Sequence, residues 1–395
     1  MPIPETINLL VVDDQPPMRE MIGNMLRSNG YKSLHIVSNG REAMRAIRTR
    51  PVDFVITDWT MPHMTGIELL KTIKSAVSSF NIPVLMISDE GSVEKVLYAV
   101  EEGVDGFIIK PFSENSLIRS VESIILRKAN PSRIEQLTDE MRRLKLSGKY
   151  REALEIGNEI LKDGEIPKVA FLTCECLYHV REYDKAVQII SDSSEERKMG
   201  NQENLLGKIY MNLGKQKEAI MYLKEAARRN PLNHDRKIDL IRAYFGIGQI
   251  EDGEKIIEGI MSSEPTDLVL VDIAQLYLDL NDAGKAGYYL DRTVNPINET
   301  VHVFNNYAIA LRKAGKYEES AETYRKCVKI APDSDVLFYN LAFLYCMTNN
   351  LPGAREALKN ALKLNPQNEH AKNLLQKIEQ DPKSLASLSQ GARFM

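Results

Sequence analysis

The sequence predicts an α/β doubly wound, parallel five-stranded sheet followed by an all-α solenoid of paired helices. Three observations carry this prediction. Through about residue 127, five short apolar runs each lead into a turn and an amphipathic stretch. From there to about residue 379, apolar residues recur at helical spacing, with few strand-like runs. Within that second part, seven small residues stand 33 or 34 positions apart.

The five runs are NLLVVDD, SLHIVS, DFVITD, PVLMIS and GFIIKP. Short runs rich in Val, Ile and Leu read as strands buried on both faces, which requires helices on both sides of a parallel sheet. The stretches between them, such as PPMREMIGNMLRSNG and GIELLKTIKSAV, carry the helical period. Ligands of such sheets bind beyond the carboxyl ends of the strands. The residues ending the runs are therefore the informative ones: Asp13 and Asp14, Asp58, Ser88 and Lys110. Three carboxylates at one edge repel by roughly 4 kcal/mol per close pair at an effective dielectric near 20, so they need a cation or a proton. Mg2+ suits hard oxygen donors beside a phosphoryl group. Lys110 adds a point charge for phosphoryl oxygens and Ser88 a hydroxyl. The set reads as chemistry for placing a phosphoryl group on a carboxylate, with Asp58 as the nucleophile.

With VVDD, DWTMPHMTG, VLMIS and GFIIKPF in this order, residues 7 to about 127 resemble the receiver domain of two-component response regulators, near the chemotaxis type. The resemblance implies that Asp58 accepts a phosphoryl group from a sensor histidine kinase or phosphotransfer protein. It implies Mg2+ held by Asp14, Asp58 and the backbone carbonyl of Thr60, with Asp13 acting largely through water. Lys110 would bind the phosphoryl group, its bond to Pro111 being cis, and Ser88 and Phe107 would form the switch. Many relatives carry Tyr where this chain has Phe107, so a hydrogen bond from that tip is lost here. Thr60 and Glu90 would flank the route of the hydrolytic water. Such a protein is a phosphoacceptor regulator, with only limited self-phosphorylation and self-dephosphorylation chemistry.

The second half opens with the polar joint RKANPS. Its spaced small residues are Ala153, Ala186, Ala219, Gly253, Ala286, Ser320 and Ala354. A helix–turn–helix period near 34 is the signature of the tetratricopeptide repeat, with a small residue where two helices approach closely. Gly207, Ala274, Ala308 and Ala342 would supply the opposite contact, and Pro231, Pro265, Pro332 and Pro366 would end second helices. The segments from Val303 and Val336 resemble the tetratricopeptide family strongly. The expected organisation is a receiver over residues 1–127, a linker over 128–133, six to seven repeats with a closing helix over 134–379, and a disordered tail over 380–395.

The repeat resemblance implies a groove that grips a protein or peptide ligand. Its candidate contacts are Asn305, Asn306, Ile309, Arg312, Tyr339, Asn340 and Phe343; Lys208 and Arg242 could lend positive charge for an acidic partner but read better as solvated residues. No other output module follows the receiver. The expected function is a response regulator in which phosphorylation switches protein binding by the repeats, exposing or covering a partner surface or a face for a phosphorylation-dependent homodimer. The alternative is a phosphoryl sink that competes for a kinase and hydrolyses its own acyl phosphate.

Composition narrows the class. Of 395 residues, 43% are hydrophobic and 27% charged, as in ordinary globular protein. A net charge of −4 argues against a nucleic-acid partner, and Arg41, Arg45, Arg48 and Arg50 read as a solvated helix face. No apolar run approaches the roughly 20 residues that cross a bilayer, and the start lacks a basic flank and cleavage site, so a cytoplasmic protein without membrane contact is expected. Cys174, Cys176, Cys327 and Cys346 are expected to be reduced, buried thiols.

Overall fold

The computed structural model describes residues 6–62, 64–162, 164, 166–192, 200–263, 265–294, 296 and 298–380. The chain forms two compact units, Met1–Ile256 and Ile257–Met395. The first begins with β1 (Leu9–Val12), α1 (Pro16–Ser28), β2 (Leu34–Val37), α2 (Gly40–Thr49), β3 (Phe54–Asp58), α3 (Gly66–Ser75), β4 (Val84–Ser88), α4 (Val93–Glu101), β5 (Gly106–Ile109) and α5 (Glu114–Ala129). The strands pair in parallel in the order β2-β1-β3-β4-β5. The strand order reverses between β1 and β3, which opens a crevice at their carboxyl ends.

Both faces of the sheet are covered. Leu9, Val11, Ile56, Leu85 and Ile87 pack with Ile22 and Leu26 of α1 and with Leu117, Val121 and Ile124 of α5. Leu10, Val12 and Val55 alternate with them along the strands and are buried too, which is why the strands read as apolar runs without polar alternation. The register sets Asp58 opposite Ile87 and Ser88 opposite Ile109. Side chains of Asn39, Thr65, Ser92 and Ser113 accept first-turn backbone N–H groups of α2 to α5, each cap contributing about 1 kcal/mol.

Helix α5 runs to Ala129 and α6 (Arg133–Leu146) follows, so the non-helical joint is only residues 130–132. Pro131 keeps Asn130 out of the helical region, and Ser132 restarts the chain with a capping box to Glu135. The unit continues through α7 (Tyr150–Lys162), α8 (Pro167–His179), α9 (Tyr183–Asp192), α10 (Gly200–Asn212), α11 (Gln216–Arg229) and α12 (His234–Gly246). Helix α13 (Ile250–Met261) spans the division between units. The second unit holds α14 (Asp267–Asp279), α15 (Ala283–Leu290), α16 (Val301–Lys313), α17 (Tyr317–Ile330), α18 (Asp335–Met347), α19 (Leu351–Leu364) and α20 (Glu369–Gln380). Among the described residues these make seven helix pairs and one closing helix. The predicted tail beyond Gln380 and the stretch 193–199 lie outside the described residues.

The small residues do what their spacing implies. Ala153, Ala186, Ala219, Ala286, Ser320 and Ala354 are all 0% exposed, and a Cβ on Gly253 would stand 2.4 Å from the Phe245 ring. Ser320 fits because its hydroxyl donates to the Ala308 carbonyl at 2.8 Å. From the facing helix, a Cβ on Gly207 would stand 2.4 Å from Leu223.

A second period accompanies the first. Gly148, Arg181, Gly214, Gly248, Asn281, Gly315 and Asn349, one in the turn within each helix pair, have φ between 59° and 77°. Each precedes its small packing residue by five positions. Glycine adopts this left-handed conformation freely and asparagine tolerates it, whereas Arg181 bears a cost of roughly 1–2 kcal/mol. Arg181→Gly is therefore expected to stabilise the fold by about 0.5–1 kcal/mol after the extra unfolded-chain entropy is subtracted. A higher urea midpoint at unchanged slope is the expected reading.

All four cysteines are free and buried, and burial pushes the thiols of Cys174 and Cys327 up to about 12 and those of Cys176 and Cys346 up to about 11. Among the described residues, no helix is long and apolar enough to cross a membrane.

Candidate phosphoacceptor site

Adjacent strands β1 and β3 deliver Asp13 and Asp58 to the crevice, and both side chains are buried. The Gln15 N–H donates to Asp13 Oδ1 at 2.8 Å, and the Thr60 N–H donates to Asp58 Oδ2 at 2.9 Å. Lys110, just past β5, donates from Nζ to Asp58 Oδ1 at 2.6 Å and lies 3.7 Å from Asp13 Oδ2. Its ammonium also sits 3.5 Å from Asp89, a neighbour that strand-end reasoning did not single out. Asp13 Oδ2 and Asp14 Oδ1 are buried without a hydrogen-bond partner.

Burial pushes the Asp13 carboxyl up to about 6, against the pull of the Gln15 N–H, with Asp58 adding to the rise. Burial also raises Asp58, and the Lys110 and Thr60 bonds withdraw only part of that shift. For Lys110, burial acts downward, but the bond to Asp58 and the charges of Asp58, Asp13 and Asp89 carry it above its ordinary value. Asp13, Asp14 and Asp58 against one ammonium leave two formal negative charges uncompensated. Orphaned carboxylate oxygens and that charge fit a hard divalent cation. No three His, Cys, Asp or Glu side chains among the described residues close into a complete metal cage. A cation here would therefore take one or two carboxylates together with backbone oxygen and water, the habit of Mg2+.

The backbone fixes this corner. The Trp59 N–H donates to the Ile87 carbonyl at 2.8 Å, the Lys110 N–H to the Ser88 carbonyl at 2.8 Å, and the Gly66 N–H to the Trp59 carbonyl at 2.9 Å. A Cβ on Gly66 would fall 2.0 Å from the Asp58 carbonyl oxygen, so only glycine lets α3 start this close to the acceptor.

The switch candidates lie nearby. The Ser88 hydroxyl donates to the Glu90 carbonyl at 2.9 Å and accepts from the Glu90 N–H at 3.2 Å, rather than bonding Asp58. Phe107 is half-buried with its ring edge-on to Trp59 at 6.3 Å. Trp59 meets Tyr98 at 6.1 Å, and Lys95 lies 5.7 Å above the indole. The Lys110–Pro111 peptide is cis.

In the second unit, α16 and α18 bring the groove candidates together and tie them to one another. Asn340 donates to Asn305 at 2.9 Å, Asn306 to Gln275 at 3.2 Å, and Arg312 lies 4.8 Å over the Phe343 ring. Tyr339 packs against Phe343 and His370, and Ile309 lies half-buried against the Ala308 cluster. In the first unit, Lys208 and Arg242 share Asp239, at 2.8 and 3.6 Å, so one carboxylate offsets half of their positive charge.

The family model described as "Response regulator receiver domain" matches residues 9–122. Chemotaxis protein CheY-3 of Vibrio cholerae serotype O1 is 37% identical over 123 residues, which are 31% of this chain and 95% of that protein. The chain belongs to the response-regulator receiver family. Its receiver is also similar to chemotaxis protein CheY of Pseudomonas aeruginosa, 35% identical over 121 residues, 31% of this chain and 98% of the relative. The solved response regulator CheY4 of Vibrio cholerae is 30% identical over 30% of this chain and 98% of its own, with a TM-score of 0.29. Beyond the receiver, a tetratricopeptide-repeat model matches residues 210–271 and 311–378. A model described as "Anaphase-promoting complex, cyclosome, subunit 3" matches residues 147–226. A chemotaxis-type receiver followed by tetratricopeptide repeats is thus what the sequence led us to expect.

Proposed function

We propose that this response regulator accepts a phosphoryl group on Asp58 and uses it to switch protein binding by its repeats. The observation that carries the reading is the buried Asp58 carboxylate bonded at 2.6 Å to Lys110, beside Asp13 and Asp14, each with one buried, orphaned oxygen. An Asp58 oxygen attacks the phosphorus of a phosphohistidine on a sensor kinase or phosphotransfer protein. The new O–P bond replaces the P–N bond, and the leaving imidazole takes its proton from solvent. Lys110 moves from the carboxylate to the entering phosphoryl oxygens, where its charge counts most in the transition state. Asp14, Asp58 and the Thr60 carbonyl would hold Mg2+, with Asp13 acting through water, and the ion would supply further neutralisation of phosphoryl charge when bound. Ser88 must give up its Glu90 bonds to reach the phosphoryl group, and Phe107 would turn inward behind it.

On this reading the chain is a regulator rather than an enzyme with an external substrate. Its output is a protein or peptide on the groove of α16 and α18. The test is incubation of the purified chain with Mg2+ and acetyl phosphate, or with a cognate kinase. Intact mass is expected to rise by one phosphoryl group, borohydride reduction should place it on Asp58, and Asp58→Asn should lose it. If neither donor modifies the wild-type carboxylate, the reading fails.

A further inference from the structure

Away from the acceptor corner, the most deeply buried charge among the described residues of the first unit is Arg236, in the first turn of α12 and 1% exposed. A guanidinium is held in such a place only by good partners. Its Nη2 donates to Glu101 Oε2 at 2.8 Å and to Asn201 Oδ1 at 2.6 Å, and its Nη1 donates to the Ala226 carbonyl at 3.2 Å. Glu101 is the last residue of α4, in the receiver. The same Glu101 oxygen accepts from Asn230 Nδ2 at 2.9 Å, and Asn233 Nδ2 reaches Glu102 Oε1 at 3.4 Å. Beside them Lys71 of α3 pairs with Asp235 of α12.

The repeats alone answer Arg236 with neutral oxygens, those of Asn201 and Ala226. The nearby Glu203 carboxylate pairs with Arg229 at 3.1 Å and acts on Arg236 through its charge, without a hydrogen bond to it. Without Glu101, the guanidinium and the Asn230 amide would converge on an empty position, the arrangement of a built carboxylate site. The bonds across this contact are ion pairs and amides, as in interfaces that open. The contact also keeps one acid at a cost: burial pushes Glu102 up to about 7, Asp235 and Glu101 adding to the rise and Lys71 and Arg236 opposing it. The path to the acceptor is short: Trp59 follows Asp58 and lays its ring against Tyr98, three residues before Glu101.

We infer that the Arg236 pocket is a carboxylate receptor of the repeats, that the receiver fills it in cis with Glu101 and Glu102, and that phosphorylation of Asp58 empties it. The last step rests on the phosphoacceptor reading above. The Ser88 hydroxyl holds the Glu90 backbone two residues before Ser92, the N-cap of α4, so turning it to a phosphoryl group frees the loop that positions α4 and Glu101, and the switch runs toward release.

Hydrogen–deuterium exchange of the full chain tests this. Glu101→Lys is expected to raise amide exchange over residues 230–240 by about tenfold or more, and the isosteric Glu101→Gln by a smaller factor, with helicity unchanged by circular dichroism. If Glu101→Lys does not fold, Glu101→Gln decides. Unchanged protection of 230–240 in the folded variants overturns the docking. Beryllofluoride with Mg2+, its adduct confirmed by fluorine NMR, is expected to raise exchange over both 98–104 and 230–240. An adduct that leaves both segments protected overturns the release. If no adduct forms, the phosphoacceptor reading fails and the release with it, while the Glu101 variants still decide the docking.

Discussion

Lys110→Ala is expected to slow phosphorylation of Asp58 by about 10²–10³-fold while the sheet stays folded, the usual loss when one preorganised charge is removed from a transition state. Two effects act in the same direction. The ammonium now 2.6 Å from Asp58 Oδ1 would no longer meet the entering phosphoryl oxygens. The Asp58 carboxyl, already raised by burial, would rise further once the Lys110 bond and charge cease to pull it down, leaving less of the nucleophilic anion. Asp13 would lose the same counter-charge. Single-turnover phosphorylation at saturating Mg2+ measures the effect, and a rate within a factor of about two of wild type would remove Lys110 from the chemistry.

Gly66→Ala should damage the same site without touching a charged group. The added Cβ would stand 2.0 Å from the Asp58 carbonyl oxygen, 3.0 Å from its carbon and 3.2 Å from the Trp59 Cα. These are backbone atoms at the end of a buried strand, with no flexible tip to move aside. The expected cost is about 1–3 kcal/mol of stability, as for other overpacked positions. Slower phosphorylation is expected in the molecules that remain folded, because the shift falls on the acceptor residue itself. Gly246→Ala is the matched control, since nothing lies within 4 Å of a Cβ there. A wild-type urea midpoint together with a wild-type phosphorylation rate for Gly66→Ala would mean that α3 slides away freely.

The sheet was readable in the sequence because burial on both faces leaves Leu9 to Val12 and Val84 to Ser88 with no solvent side to mark. The repeats were readable because a helix crossing tolerates only a small side chain, and that demand recurs at fixed intervals from Ala153 to Ala354. The acceptor corner was readable as strand-end residues, since each strand carries its last side chain to one edge. Hydrogen bonds that choose among several partners were not readable. Ser88 bonds the backbone of Glu90, and Lys110 reaches Asp89 as well as Asp58, outcomes of loop geometry that no spacing announces. Nor was the left-handed Arg181, whose residue type carries no turn preference. Arg236 and Glu101 stand 135 positions apart, and each alone reads as an ordinary charged residue of an amphipathic helix. Only folding discloses that they meet.

The chain contains a single tryptophan, and it is Trp59. Its indole is buried, flanked by Phe107 on one side and Tyr98 on the other, with an ammonium above the ring. Light emitted on selective excitation of tryptophan therefore originates from one locus, in contact with Phe107 and Tyr98. The molecule thus carries its own optical gauge, and a dye-free titration can follow events at its acidic corner in the intact protein.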